Sequence, residues 1–253
     1  MNYPTLVGGV LLRRYKRFLA DVRLDDGREV VAHCPNTGSM RAVNVPGARV
    51  WLSPSDNPAR KLAWTWELIE LPSGDAQAGA ASALASVHTG RANRIVEEAL
   101  RSGTVAELRG YSAIKREAKV ANARLDFRLD DDERPSCFVE VKQVTLKESD
   151  GHGYFPDAVS ERGRKHLESL AQLVAEGKRA VLLFLVAHEG IDDVAPAMHL
   201  DPGYGDTLRR VMAEGVEVLA YRIRARRDDQ GRPLALTLDA ALPVRPMAQF
   251  VES

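Results

Sequence analysis

The chain has 253 residues, 45% of them hydrophobic and 28% charged, the composition of an ordinary soluble globular protein of one large or two modest domains. Its 35 Lys and Arg balance 35 Asp and Glu, which excludes a uniformly basic protein, so any surface for a polyanion must come from local clustering. Two distant cysteines, Cys34 and Cys137, exclude a disulfide scaffold, and no run approaches the ~20 apolar residues that span a bilayer.

In chain order, the apolar run near the N-terminus precedes the basic cluster at Arg13–Arg17 instead of following it, the wrong order for a secretory signal. The expectation is a cytoplasmic protein with reduced thiols and no membrane partner. Residues 18–24 alternate, Asp25-Asp26-Gly27 marks a tight turn, and residues 29–32 resume, which predicts a β-hairpin. Residues 33–40 (HCPNTGSM) read as a loop; one His and one Cys there fall short of a zinc site. Strands follow at 48–53 and 64–71, separated by turns at Pro46-Gly47 and residues 55–58. Five or so short strands in about 70 residues predict a small barrel such as an OB-fold. Trp51, Trp64 and Trp66 are expected in its core or rim.

Residues 72–83 (PSGDAQAGAASA) read as a linker. Beyond them the pattern changes to helix at 93–100, strands at 117–129 and 136–146, and an amphipathic helix at 158–176 with Asp157 as N-cap and Gly177 as its stop. A buried strand at 179–186, a helix at 206–214 and a strand at 216–223 complete a mixed sheet flanked by helices. The domains predicted are 1–83 (barrel with linker), 84–226 (α/β) and a polar C-terminal extension at 227–253, partly disordered.

The chemistry centres on Arg124-Leu125-Asp126-Phe127-Arg128 and Cys137-Phe138-Val139-Glu140-Val141-Lys142. If these strands pair about a centre near Glu133, Asp126 falls directly across from Glu140, with Cβ atoms ~4.5–5.5 Å apart. Glu140 and Lys142 then share one face, while Leu125, Phe127, Leu129, Val139 and Val141 form an apolar one. Two carboxylates this close repel unless a cation lies between them, and their oxygens suit Mg²⁺ or Mn²⁺. An Asp followed some fourteen residues later by Glu-x-Lys is the pattern of the PD-(D/E)xK nucleases, although Leu125 stands where that name has Pro. Asp126, Glu140 and Lys142 are therefore the candidate catalytic residues, with Asp126 and Glu140 as metal ligands. Glu97 or Glu98 on the preceding helix would add a third carboxylate, Glu98 being the choice. The plain alternatives are a solvated sheet face and exposed helix acids.

Arg13, Arg14, Tyr15, Lys16, Arg17 and Phe18 mix cations with aromatics on an expected barrel strand, suited to phosphates and unpaired bases; a charge-protected edge strand would look the same. Arg162, Lys165 and His166 would bring phosphate-binding groups to the site from the next helix, or else form a solvated face with Glu161–Lys165 pairing. The Asn36–Ser39 turn offers donors to a phosphate.

Several blocks together, among them RRYKRFLADV, HCPNTGSM, SDNPARK, FVEVKQVTL and GYFPDAVSERGRKHL, make the chain resemble the sugar fermentation stimulation protein A family from about residue 11 to 221. The resemblance implies an OB-fold domain followed by a PD-(D/E)xK nuclease-like domain. It also implies DNA binding and a regulatory role in sugar (maltose) metabolism. The functional expectation is a DNA-binding protein, with RNA a further candidate, whose nuclease-like domain hydrolyses phosphodiesters with Mg²⁺ or Mn²⁺. The alternatives are a non-catalytic DNA-binding regulator and, more remotely, a small-molecule metalloenzyme.

Overall fold

A computed structural model describes residues 1–72, 82–120 and 123–245. Five strands make the first unit: β1 (Val7–Tyr15), β2 (Leu19–Leu24), β3 (Glu29–His33), β4 (Arg49–Pro54) and β5 (Trp64–Pro72). They run in the order β3-β2-β1-β4-β5, and a parallel pairing of β3 with β5 (Ala32 with Trp64, His33 with Thr65) closes the barrel. Closure leaves no exposed sheet edge among these strands, and the OB-fold expectation holds. The interior follows from strand alternation. Ala20, Val22 and Leu24 of β2 face inward against Leu11, Val50, Leu52, Trp66 and Ile69. Gly27, at φ +87°, takes the left-handed turn position between β2 and β3 that a side chain would disfavour.

Two expectations in this half need correction. The cluster at residues 13–18 is not all strand: β1 ends at Tyr15, and Lys16 and Arg17 form a tight turn with φ of 47° and 65°. The small-residue segment read as a linker at 72–83 runs at its end into β6 (Ser82–Ser86), paired with β5; its residues 73–81 lie outside the described ones. Its small side chains let this strand sit between two backbones. The Ser86 N–H donates to the Ala187 carbonyl, and the Glu189 N–H to that of Leu84.

The second unit is a six-stranded mixed sheet. Along the chain it contains α1 (Ala92–Arg101), β7 (Ala113–Val120), β8 (Ala123–Asp130) and β9 (Cys137–Val144). There follow β10 (Leu146–Lys147), β11 (Gly153–Phe155), α2 (Glu161–Ala175), β12 (Arg179–Val186) and β13 (Val194–Pro196). Next come α3 (Pro202–Ala213), β14 (Glu217–Arg227) and β15 (Pro233–Ala241). The order is β15-β14-β12-β9-β8-β7, with β9, β12 and β14 parallel; β10, β11 and β13 form a small separate sheet. β12 (RAVLLFLV) is buried on both faces, which is why its sequence is a continuous apolar run. Val181, Leu183 and Leu185 face α1 and the barrel's Trp51 and Leu68 in one core. Ala180, Leu182 and Phe184 face α2 and α3 in the other. The mixed sheet flanked by helices agrees with the nuclease-like expectation.

The segment read as one strand at 117–129 is the hairpin β7–β8, with Val120 opposite Ala123. Nor does Leu125 share a core with Phe127. It packs on the α2 side and Phe127 on the α1 side, so β8 turns about its axis at Asp126. Helix α2 is capped by Ser160, whose hydroxyl accepts from the Gly163 N–H, and not by Asp157. Gly177 does end it, at φ +75°. The supposed extension is ordered through Arg245: β15 pairs with β14, and the Met1 ammonium donates to the Leu236 carbonyl at 2.7 Å. Residues 246–253 lie outside the described ones. Among the described residues no helix is long and apolar enough to cross a membrane.

Candidate active site

Three pairs fix the β8–β9 register: Phe127 with Val139, Arg128 with Phe138, and Leu129 with Cys137. Continued by one step, it sets Asp126 against Glu140. There the ladder stops. The Val141 N–H donates to Asp126 Oδ2 at 2.8 Å, so the side chain takes the place of a strand carbonyl where the strands part. Asn93 of α1 donates from Nδ2 to Asp126 Oδ1 at 2.6 Å. Alternation along β9 brings Lys142 beside Glu140, with Nζ 2.6 Å from Oε1. His166 of α2 reaches the same oxygen through Nδ1 and lies 3.4 Å from Lys142 Nζ. Asp126, Glu140 and Lys142 thus line one cleft of about 410 Å³, together with Arg116, Gln143 and Arg162.

The two carboxylates are tuned in opposite directions. Burial, and then the Glu140 charge, raise Asp126 above its ordinary value, against the hydrogen bonds from Val141 and Asn93 and the Lys142 charge. Burial also pushes Glu140 upward, but the hydrogen bond from His166 and the charge and hydrogen bond of Lys142 outweigh it and hold the carboxyl low. Glu140 is therefore a compensated anion, whereas Asp126 retains a deficit of positive charge. A hard divalent cation between them fits that deficit and the all-oxygen donor set. Among the described residues no cluster of three His, Cys, Asp or Glu could hold a metal. A cation here would draw on two carboxylates and complete its shell with water, as Mg²⁺ commonly does.

The third proposed ligand is corrected. Glu98 lies in a different pocket, lined with Ile95 and Thr237, where it pairs with the Met1 ammonium and with Arg94. A chain terminus buried against β15 needs a counter-charge, and Glu98 supplies it. Glu97 pairs with Arg101 and Arg116. The helix residue that does reach the site is Asn93.

The expected nucleic-acid residues divide. Arg13 is exposed, paired with Asp21 at 2.7 Å and placed over the Tyr15 ring. Arg14 is corrected: its Nη2 donates to the carbonyls of Arg17, Asn36 and Gly38 at 2.7, 2.9 and 3.0 Å, so it is committed to holding two loops. Lys16, Arg17 and Phe18 stand exposed on the β1–β2 turn, where Arg17 Nε donates to Thr37 O. Arg162 lines the cleft, and Lys165 faces the adjoining groove along α2. His166, expected to hold phosphate, is 9% exposed and engaged with Glu140.

Sequence reasoning did not single out Asn93, Arg116 or Gln143. Asn93 is a polar residue at the start of an amphipathic helix, a position that carries no local signal of its target.

Residues 90–229 match the family described as the sugar fermentation stimulation protein RE domain, and residues 12–76 match the SfsA N-terminal OB domain. A sugar fermentation stimulation protein homolog of Chromohalobacter salexigens is 67% identical over 244 residues, covering 96% of this chain and 94% of its own. One from Shewanella baltica is 53% identical over 221 residues, 87% and 91% of the two chains. The structure of Pyrococcus furiosus SfsA in complex with Ca²⁺ superposes with a TM-score of 0.81 at 26% identity, covering 97% of this chain and 98% of that one.

Proposed function

The chain belongs to the sugar fermentation stimulation protein family, and we propose that it is a nucleic-acid-binding protein whose second domain hydrolyses phosphodiesters with Mg²⁺ or Mn²⁺. One observation carries this reading: Asp126 and Glu140, from strands that part at that point, line one cleft with the Lys142 ammonium. The Ca²⁺ of the Pyrococcus furiosus protein is a hard, oxygen-seeking ion in a chain of the same fold, which supports a divalent cation here as well.

Asp126 and Glu140 would hold the ion. A divalent ion supplies a water of lowered pKa and neutralises phosphate charge. The residues do the rest. The Val141 N–H and Asn93 fix Asp126, and His166 and Lys142 fix Glu140, so the donor oxygens are set before substrate arrives. Lys142 offers an ammonium to the oxygens that gain charge as water oxygen bonds to phosphorus and the P–O bond to the leaving strand breaks. Arg116 and Arg162, both lining the cleft, suit the flanking phosphates.

A second reading, a DNA-binding regulator without turnover, is favoured by the amide of Asn93 standing where a third carboxylate would strengthen metal binding. One screen separates the two: single- and double-stranded DNA and RNA with Mg²⁺ or Mn²⁺, beside Asp126→Ala and Lys142→Ala. Hydrolysis expects cleavage that both variants lose. Salt-sensitive binding without cleavage under every condition would reject hydrolysis and leave the regulator.

A further inference from the structure

The barrel also contributes to the cleft. Asn36 and Gly38, from the loop between β3 and β4, line it together with Asp126, Glu140 and Lys142. We infer that Asn36 is a substrate-binding residue whose side-chain amide donates to a non-bridging phosphate oxygen of a nucleic-acid strand lying in the cleft. This inference rests on the nucleic-acid reading above and adds to it a recognition residue from the other domain.

The orientation of the amide is fixed by chemistry. The Gly38 N–H donates to Asn36 Oδ1 at 2.8 Å, and only the oxygen of an amide can accept. The NH₂ end therefore points away from the turn. It has no acceptor among the described residues, although Asn36 is only 9% exposed and lines the cleft. The NH₂ nitrogen is open to the cleft and not sealed from water, so a ligand oxygen can take the place of a hydrating water there. Lys142, Arg116 and Arg162 line the same space and offset the carboxylates of Asp126, Glu140 and Asp157, so an anionic acceptor can be held beside them.

The loop is held rigidly enough to act as a template. Arg14 ties the carbonyls of Asn36 and Gly38, and the Thr89 hydroxyl donates to the Pro35 carbonyl at 2.9 Å. Asp157 of the second domain accepts from the Ser39 hydroxyl at 2.7 Å and from the Met40 N–H at 3.1 Å. Cys34 and Met40 are fully buried on either side of the turn. A donor fixed in this way loses little freedom on binding, so its hydrogen bond appears in affinity.

The test uses the full chain and fluorescein-labelled oligonucleotides in EDTA at low salt, where binding is read without turnover. In Asn36→Ser a hydroxyl can still accept from the Gly38 N–H, as in an ST-turn, but the amide NH₂ is gone and the single O–H ends one atom short of the position that NH₂ holds. Its melting temperature should stay within about 2 °C of wild type, and its affinity should fall at least about tenfold. A second arm locates the contact on the nucleic acid. Single methylphosphonate linkages are scanned along the oligonucleotide. One position should weaken wild type about tenfold and leave Asn36→Ser unaffected. Equal affinity of the two proteins, or a scan in which no linkage distinguishes them, overturns the assignment of Asn36 and leaves the wider reading standing. Failure of wild type to bind any oligonucleotide overturns both.

Discussion

Asp126→Asn gives the most direct test of the site. In the wild type this carboxylate is part-buried and faces a second anion, and both effects raise its pKa. A group whose folded-state pKa is raised holds its proton more tightly when folded. Stability is then lost as pH rises from the ordinary value of 3.8 through the folded-state value. At neutral pH the neutral amide relieves that loss. Its oxygen can still accept from Val141, and Asn93 can rotate to present its own oxygen to the new NH₂. The variant without metal should be more stable than wild type by roughly 1 kcal/mol, which raises the melting temperature by roughly 2–4 °C in a chain of this size. The difference should disappear near pH 3, where Asp126 is protonated. Metal reverses the ranking: Mn²⁺ at a hundred times its Kd stabilises wild type by about 2.7 kcal/mol, or roughly 5–11 °C, and the variant hardly at all. Scanning calorimetry across pH, with and without Mn²⁺, reads both effects. An Asp126→Asn protein that melts below wild type at neutral pH, yet gains as much from Mn²⁺, would refute the electrostatic account and the metal assignment together.

Glu140 has the opposite sign. Its pKa is held low, so the stability it contributes is present above the ordinary 4.5 and lost as pH falls through the folded-state value; denaturant melts of Glu140→Gln should lack that acid-side loss and show about 2 kcal/mol less stability at pH 7, where Lys142 loses its partner. Arg14→Ala should cost about 2 kcal/mol in urea unfolding, because three carbonyls lose a charged donor, whereas exposed Arg13→Ala should stay within about 0.5 kcal/mol. Burial pushes the Cys137 thiol up to about 12, and Cys34 is fully buried; neither should react with a thiol reagent at pH 8 until guanidinium is added, and a fast-reacting thiol in the native protein would contradict the core packing.

Much of the architecture was readable because it is written in local patterns. The β2 alternation, the glycine turn and the apolar run of β12 each reflect one strand's surroundings. The same holds for Asp126 opposite Glu140: an intervening loop with a symmetric centre sets the hairpin register. Where local pattern and long-range contact diverge, the reading failed. Ser82–Ser86 has one large apolar residue, Leu84, among small ones and still forms a strand, because β5 and the Ala187–Glu189 backbone lie on either side. β15 follows the polar run at 226–232 and a proline, which mask the alternation of Leu234, Leu236 and Leu238; Ala235, Leu236 and Leu238 are buried against β14 and Met1.

A barrel, a mixed sheet and the Asp126–Glu140–Lys142 set are legible in the order of residues alone, since each follows from periodicity or from residues on paired strands. The destinations of long polar side chains emerge from packing. Glu98 turned to the Met1 ammonium, Arg14 to three carbonyls, and His166 to Glu140. Asn93 and Asn36 reached one cleft from two domains. A flexible polar side chain settles where an unpaired charge or hydrogen-bonding group remains buried, and that is known only after all the elements have packed.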